Sequence, residues 1–333
     1  MMERIKEIWG QLENNTSPVT GLSKQRYSDT SRCDAYLGIK YPESFRMLIL
    51  KTPFAIGHAF QFKYEFKGLK FEKVYDADDS NFLLLNLVIV DRQYKDVFDS
   101  LIADVLNSII AEVDLKIILK NYTNRLLKWQ SLFEQFNPQG LTPEEQRGLY
   151  GELFFIRKFL LINSDFINVI NSWVGPEQQI KDFQSGTWSV EVKTTHGNNH
   201  QKVHIANERQ LDTSNLEHLF LYHLSLEARQ QSGETLNQLV NIVFEILGSD
   251  FASLSRFKNK LLEAGYFGQH TSLYESTGYF IRDDVFYKVE NDFPRIEENN
   301  IRDGVGDVKY TIILSHCSPY TLSEQEVFQT VIF

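Results

Sequence analysis

Trp188-Ser189-Val190-Glu191-Val192-Lys193 is the stretch on which the fold turns. Its side chains alternate between apolar and polar, the period of an extended strand with one face against a core. Trp188, Val190 and Val192 share one side; Ser189, Glu191 and Lys193 share the other. Immediately upstream, Ile180-Lys181-Asp182-Phe183 and Gln184-Ser185-Gly186-Thr187 read as the first strand and turn of a hairpin. With a two-residue turn at Ser185-Gly186, Phe183 faces Trp188 and Asp182 faces Ser189, and directly opposed residues point to the same side of a sheet. Asp182, Glu191 and Lys193 are therefore predicted to converge on one face, with aromatic rings packed behind them.

A helix is predicted upstream of this hairpin. Leu141-Thr142-Pro143-Glu144-Glu145 carries three start signals: Thr142 as cap, Pro143 at the first helical position, and Glu145 completing a capping box. The helix should run to about Leu161. At about 100° per residue, Glu152 shares a face with Leu149, Ile156 and Phe159. A carboxylate in an apolar stripe is costly unless it is paired or binds a cation, and Arg157 is too near in sequence to be the obvious partner. Three acids in one pocket repel each other, and a divalent metal is the usual way to hold them. A lysine beside them can orient a water and stabilise developing negative charge. The set suits metal-assisted hydrolysis of a phosphodiester.

A lone Glu-x-Lys is a common surface pattern, and a lone Asp in a hairpin is usually turn chemistry. Their order carries the weight. A helix acid, then Asp182, then Glu191-Val192-Lys193 resembles the PD-(D/E)XK nuclease superfamily. Gly148-Leu149-Tyr150-Gly151-Glu152-Leu153 upstream of that set is similar to bacterial PD-(D/E)XK motif proteins associated with restriction-modification and phage defence. The resemblance covers Leu141 to Leu226 and extends more weakly to Phe293-Pro294-Arg295-Ile296 and Gly304-Val305-Gly306-Asp307-Val308. It implies an α/β restriction-endonuclease-like core (α+β overall) with a mixed central sheet flanked by helices. It implies Asp182 and Glu191 as ligands of Mg²⁺ or Mn²⁺, with the Val192 backbone carbonyl as a third and Glu152 as an additional one. Lys193 would be the catalytic lysine, and Gln210 an accessory substrate-binding residue. Lys181 stands where the motif name expects a proline.

The remaining sequence sets the surroundings. Residues 1–92 read as a β-rich domain, with strand-like runs at 45–50, 60–66 and 82–90. Residues 93–140 read as a helical connector: Val97, Leu101, Val105, Ile109 and Val113 repeat at about one helical turn, and a second helix starts at Leu115. Asn137-Pro138-Gln139-Gly140 breaks the pattern, and 141–333 is the nuclease-like domain. Beyond the hairpin, strands are predicted at 219–226, 279–281, 285–289 and 308–314, with helices near 235–248 and 251–264. His196, His200 and His204 recur at spacings of four, but Gly197-Asn198-Asn199 interrupts the helix a zinc reading needs, so they read as polar loop histidines near a substrate. Lys202 to Gln210 reads either as a phosphate contact or as a plain connection.

Composition narrows the class. The 333 residues are 42% hydrophobic and 23% charged, which excludes disordered and fibrous chains. Two cysteines give no metal clip or disulfide framework. The longest apolar run, 82–90, is about half of a membrane span, and no secretory leader is visible, so a soluble cytoplasmic protein is expected. The net charge is −10, unusual for a nucleic-acid protein, yet residues 1–73 carry 12 Lys+Arg against 8 Asp+Glu. No Walker A or dinucleotide signature occurs. The expectation is a metal-dependent DNA endonuclease of a restriction or defence system, working with other defence proteins. A duplex cut twice needs two active sites, hence a homodimer. The alternative is a catalytically silent DNA-binding or scaffold subunit that keeps the nuclease fold.

Overall fold

Two units divide the chain, Met1–Pro138 and Gln139–Phe333. The structure is a computed structural model describing residues 2–14, 20–28, 33–62, 67–135, 137, 139–197 and 201–331. The first unit is built from α1 (Met2–Asn14), β1 (Gly21–Arg26), β2 (Ala35–Tyr41), β3 (Phe45–Pro53), α2 (Phe54–Ala59), β4 (Leu69–Tyr75), β5 (Phe82–Ile89), α3 (Lys95–Ile109) and α4 (Leu115–Gln135). Its sheet is antiparallel throughout, in the order β1-β2-β3-β5-β4. β5 is buried along nearly its whole length, which is why its sequence is apolar on both faces, broken by the buried Asn86, instead of alternating. The helical segment read as a connector belongs to this unit: α3 packs on α1 and α4. Arg46 joins β3 to the helices, donating to Asp99 of α3 at 2.9 and 3.0 Å and lying 4.7 Å from the Trp9 ring of α1.

Two expectations for this unit change. Phe60 to Phe62 are not in a strand, and residues 63–66 lie outside the described residues. The edge of β5 is taken instead by Leu69–Tyr75, entered through Gly68 at φ +75°. Alternation shows that a run can be a strand but does not supply its partner. Val113 is not helical: α3 ends at Ile109, and Val113 is exposed.

The second unit comprises α5 (Pro143–Ile162), α6 (Phe166–Ser172), β6 (Phe183–Ser185), β7 (Trp188–His196), β8 (Lys202–Ile205), β9 (His218–Gln230), β10 (Glu234–Thr235), α7 (Leu236–Leu247), α8 (Phe251–Glu263), β11 (Thr277–Lys288), β12 (Tyr310–Ile313), β13 (Thr321–Leu322) and α9 (Glu324–Thr330). Its sheet is mixed, in the order β10-β11-β9-β7-β6, with β13 on β11; β7 and β9 are parallel, the other pairs antiparallel. Helices cover one face. Val190, Val192, Phe220 and Tyr222 project there against Leu153, Ile156 and Phe159 of α5 and against Leu239 and Val243 of α7. On the other face Leu219, Leu221 and Tyr287 meet Val203, Ile205 and Ile312 of the small β8–β12 ribbon. The apolar partition of alternate residues is thus what places α5 on one side of β7 and β8 on the other.

α5 starts as its sequence predicts. Thr142 accepts the Glu145 amide, the Glu145 carboxylate accepts the Thr142 amide at 2.7 Å, and Pro143 fills the first turn. The hairpin forms two residues out of the expected register. The turn is Gly186-Thr187, with Ser185 paired to Trp188 and Phe183 to Val190. Gly186 takes φ +54° as the first central residue, a conformation costly for Ser185 and free for glycine. A shift of two preserves the faces, so Phe183 stays in the core and Asp182 comes opposite Glu191 rather than Ser189. Among the described residues no helix is long and apolar enough to cross a membrane.

Candidate active site

β6 pairs only with Trp188, Ser189 and Val190, so beyond Val190 that edge of β7 has no strand beside it among the described residues. A cleft of about 550 Å³ opens there, lined by Glu144, Arg147, Gly148 and Glu152 of α5, by Asp182, by Val192 to His196 of β7 and by Lys202 to His204 of β8. The edge is capped at one point: the Val192 amide donates to Asp182 Oδ2 at 2.7 Å. The Asp182 carbonyl in turn accepts the Val174 and Gly175 amides at 2.8 and 3.0 Å. Asp182 is therefore fixed through both its side chain and its backbone.

Glu152 is half-buried and lies at the margin of the apolar stripe, facing the cleft beside Gly148 rather than sunk among Leu149, Ile156 and Phe159. Its partner is the Trp173 indole, which donates to Oε2 at 2.6 Å; Arg157 pairs with Glu234 instead. Glu152 and Asp182 meet over Gly175. A Cβ placed on that glycine would stand 3.2 Å from Asp182 Oδ1 and 3.3 Å from Glu152 Oε2.

Glu191 has no exposed surface. Its Oε1 lies 2.7 Å from Lys193 Nζ, an ion pair closed off from solvent on the carboxylate side. Lys193 Nζ donates to Gln210 Oε1 at 3.2 Å, and the same oxygen accepts the Ala206 amide at 2.9 Å. Gln210 sits in a short 3-10 turn, residues Glu208–Leu211, and not at the start of a helix. In this arrangement it holds the lysine.

The electrostatics follow from three neighbouring acids, of which Glu191 has no exposed surface. Burial and then the Asp182 charge push Glu152 well above the ordinary carboxylate range, against the Trp173 N–H and Lys193. Burial likewise raises Asp182, opposed by Lys193 and the Val192 amide. Glu191 is pushed up to about 8 by burial and by Asp182, despite Lys193. For Lys193 burial works downward, but the carboxylates outweigh it and hold the group above its usual value, so it stays an ammonium.

Among the described residues, no three His, Cys, Asp or Glu side chains are gathered closely enough to enclose a metal ion. The donor chemistry nevertheless fits a hard divalent cation: a sealed carboxylate whose charge meets Lys193, and two further carboxylates crowding one glycine. His196 and His204 line the cleft, while His200 lies outside the described residues. Sequence reasoning missed Trp173 and the role of Gly175; a lone tryptophan shortly before a Gly-Pro carries no pattern that identifies it as a carboxylate's donor.

No curated protein and no solved structure matches the chain. The family model described as "Putative PD-(D/E)XK family member, (DUF4420)" matches residues 5–315, and the chain belongs to that family.

Proposed function

We propose that the protein is a metal-dependent endonuclease that hydrolyses phosphodiester bonds in DNA, with its chemistry in the cleft beside β7. The observation that carries this reading is the meeting of Glu152, Asp182 and Lys193 on one cleft, with Glu191 sealed against the lysine. Glu152, Asp182, Glu191 and the Val192 carbonyl would hold Mg²⁺ or Mn²⁺. When bound, such a cation acts as a Lewis acid toward a phosphodiester and makes water a better nucleophile near neutral pH. Lys193, kept charged by its neighbours, donates to the attacking water or to a phosphoryl oxygen and offsets negative charge as it builds. Gln210 fixes where that ammonium points. The family resemblance supports a restriction or phage-defence setting in the cytoplasm, with partner proteins and a homodimer for double-strand cuts.

The test is cleavage of supercoiled plasmid with Mg²⁺ and with Mn²⁺, on modified and unmodified DNA. Wild type is expected to cut, and Asp182→Ala and Lys193→Ala to lose cutting with the fold intact by circular dichroism. Wild-type rates in both variants would overturn these roles. A second reading, a silent DNA-binding or scaffold subunit, is favoured by one observation: the acids do not enclose a metal in this conformation. Calorimetry with Mn²⁺ separates the two, since only the first requires a site that Asp182→Asn abolishes.

A further inference from the structure

Two cations that line the cleft have side chains without a hydrogen-bond or ion-pair partner among the described residues: Arg147 of α5 and Lys202 of β8. They reach the cleft from different layers: α5 covers the helical face of the sheet, and the β8–β12 ribbon covers the other. β8 alternates strictly, with Val203 and Ile205 buried and Lys202 and His204 exposed. Pairing with β12 sets His204 opposite Thr311 and Lys202 opposite Ile313. Thr311 Oγ1 lies 2.9 Å from His204 Nδ1, so a hydroxyl donating there leaves the proton of the neutral ring on Nε2 as a further donor. Lys193 to His196 of β7 run between these two walls.

We propose that Arg147 and the Lys202–His204 pair form a two-sided clamp for backbone phosphates of DNA flanking the phosphodiester presented to Lys193. The inference rests on the nuclease reading only for the identity of the strand; the clamp itself is a binding function. Uncommitted Lys and Arg side chains neutralise phosphates and release counterions on binding. The chain is acidic overall, at −10, yet its cleft carries two cations whose charged ends have no ion-pair partner among the described residues.

The experiment is equilibrium binding of a fluorescent DNA duplex to the full chain in EDTA, at mildly alkaline pH, over a series of NaCl concentrations. Arg147→Ala and Lys202→Ala should each weaken binding several-fold and lower the slope of log K against log salt by about 0.9. His204→Ala should weaken binding with the slope unchanged, and Lys258→Ala, an exposed cation on α8 away from the cleft, should change neither. Melting temperatures should be unaltered. Wild-type affinity and slope in the Arg147/Lys202 double variant would overturn the clamp, as would a wild-type protein that binds no duplex. Salt slopes that follow these two cations in a protein that never cuts would keep the clamp and remove the nuclease reading. Cutting with unaltered slopes would do the reverse.

Discussion

The Trp173 indole donates to Glu152 Oε2 at 2.6 Å, so a tryptophan in the loop after α6 positions a carboxylate on α5. The same loop supplies the Val174 and Gly175 amides to the Asp182 carbonyl. One short segment therefore orients two of the three acids. Lys260, a fully buried lysine of α8, anchors it from behind by donating to the carbonyls of Asn171 and Trp173 and pairing with Glu177 at 3.0 Å.

Trp173→Phe keeps an aromatic ring and removes the donor. The N–H is one of the influences that favours the charged form of Glu152. Its loss should cost about 1–3 kcal/mol in urea unfolding and should weaken Mn²⁺ binding in calorimetry at neutral pH. An unchanged Mn²⁺ affinity would mean that Glu152 takes no part in the metal site.

Glu191→Gln separates stability from function. In the folded chain this carboxyl titrates at about 8 against an ordinary 4.5. A raised value means that the native state holds the proton more tightly than the unfolded chain does. The resulting stability is complete below about 4.5 and is lost as pH rises through about 8. The neutral amide removes that term. The variant should gain on wild type steadily across this window in metal-free unfolding curves, while losing Mn²⁺ binding. In wild type, Mn²⁺ must displace protons, so its apparent affinity should increase with pH and calorimetry should detect proton release. A stability difference independent of pH would contradict the placement of this group.

Much of this was legible in the sequence because it is written in local rules. The start of α5 follows from Thr142, Pro143 and Glu145, and the faces of β7 follow from strict alternation. The turn position was not legible, since Ser185-Gly186 and Gly186-Thr187 both fit a two-residue loop and only the φ of Gly186 decides. Even so, the two registers differ by an even number, so the acids still share a face. Trp173, Gly175 and Lys260 were hidden for another reason. Their effect depends on pairings between separate segments, 21 positions apart for Trp173 and Glu152 and 89 for Lys260 and Asn171, which no periodicity encodes.

Gly175→Ala tests the crowding of the acids directly. The added methyl would sit 3.2–3.3 Å from Asp182 Oδ1, the Asp182 Cα and Glu152 Oε2, tighter than ordinary contact. Moving the two carboxylates apart should cost about 1–3 kcal/mol and lower Mn²⁺ affinity at least several-fold. Retention of full affinity would show that the metal does not draw on both groups.

Gly151→Ala probes how α5 is set against the strand. Its Cβ would fall 2.4 Å from Thr194 Cγ2 and 3.3 Å from Val192 Cγ1. Helix propensity alone favours alanine by about 1 kcal/mol, so a net loss isolates the close approach of helix and strand. The substitution should destabilise by about 1–3 kcal/mol and displace Glu152, the next residue, from the cleft. Thr194→Ser deletes the clashing methyl and leaves the hydroxyl. The double variant should therefore recover most of the stability and the Mn²⁺ binding lost by Gly151→Ala. If Thr194→Ser brings no recovery, the contact with β7 is not what requires glycine at this position, and the placement of Glu152 must depend on the Trp173 loop instead.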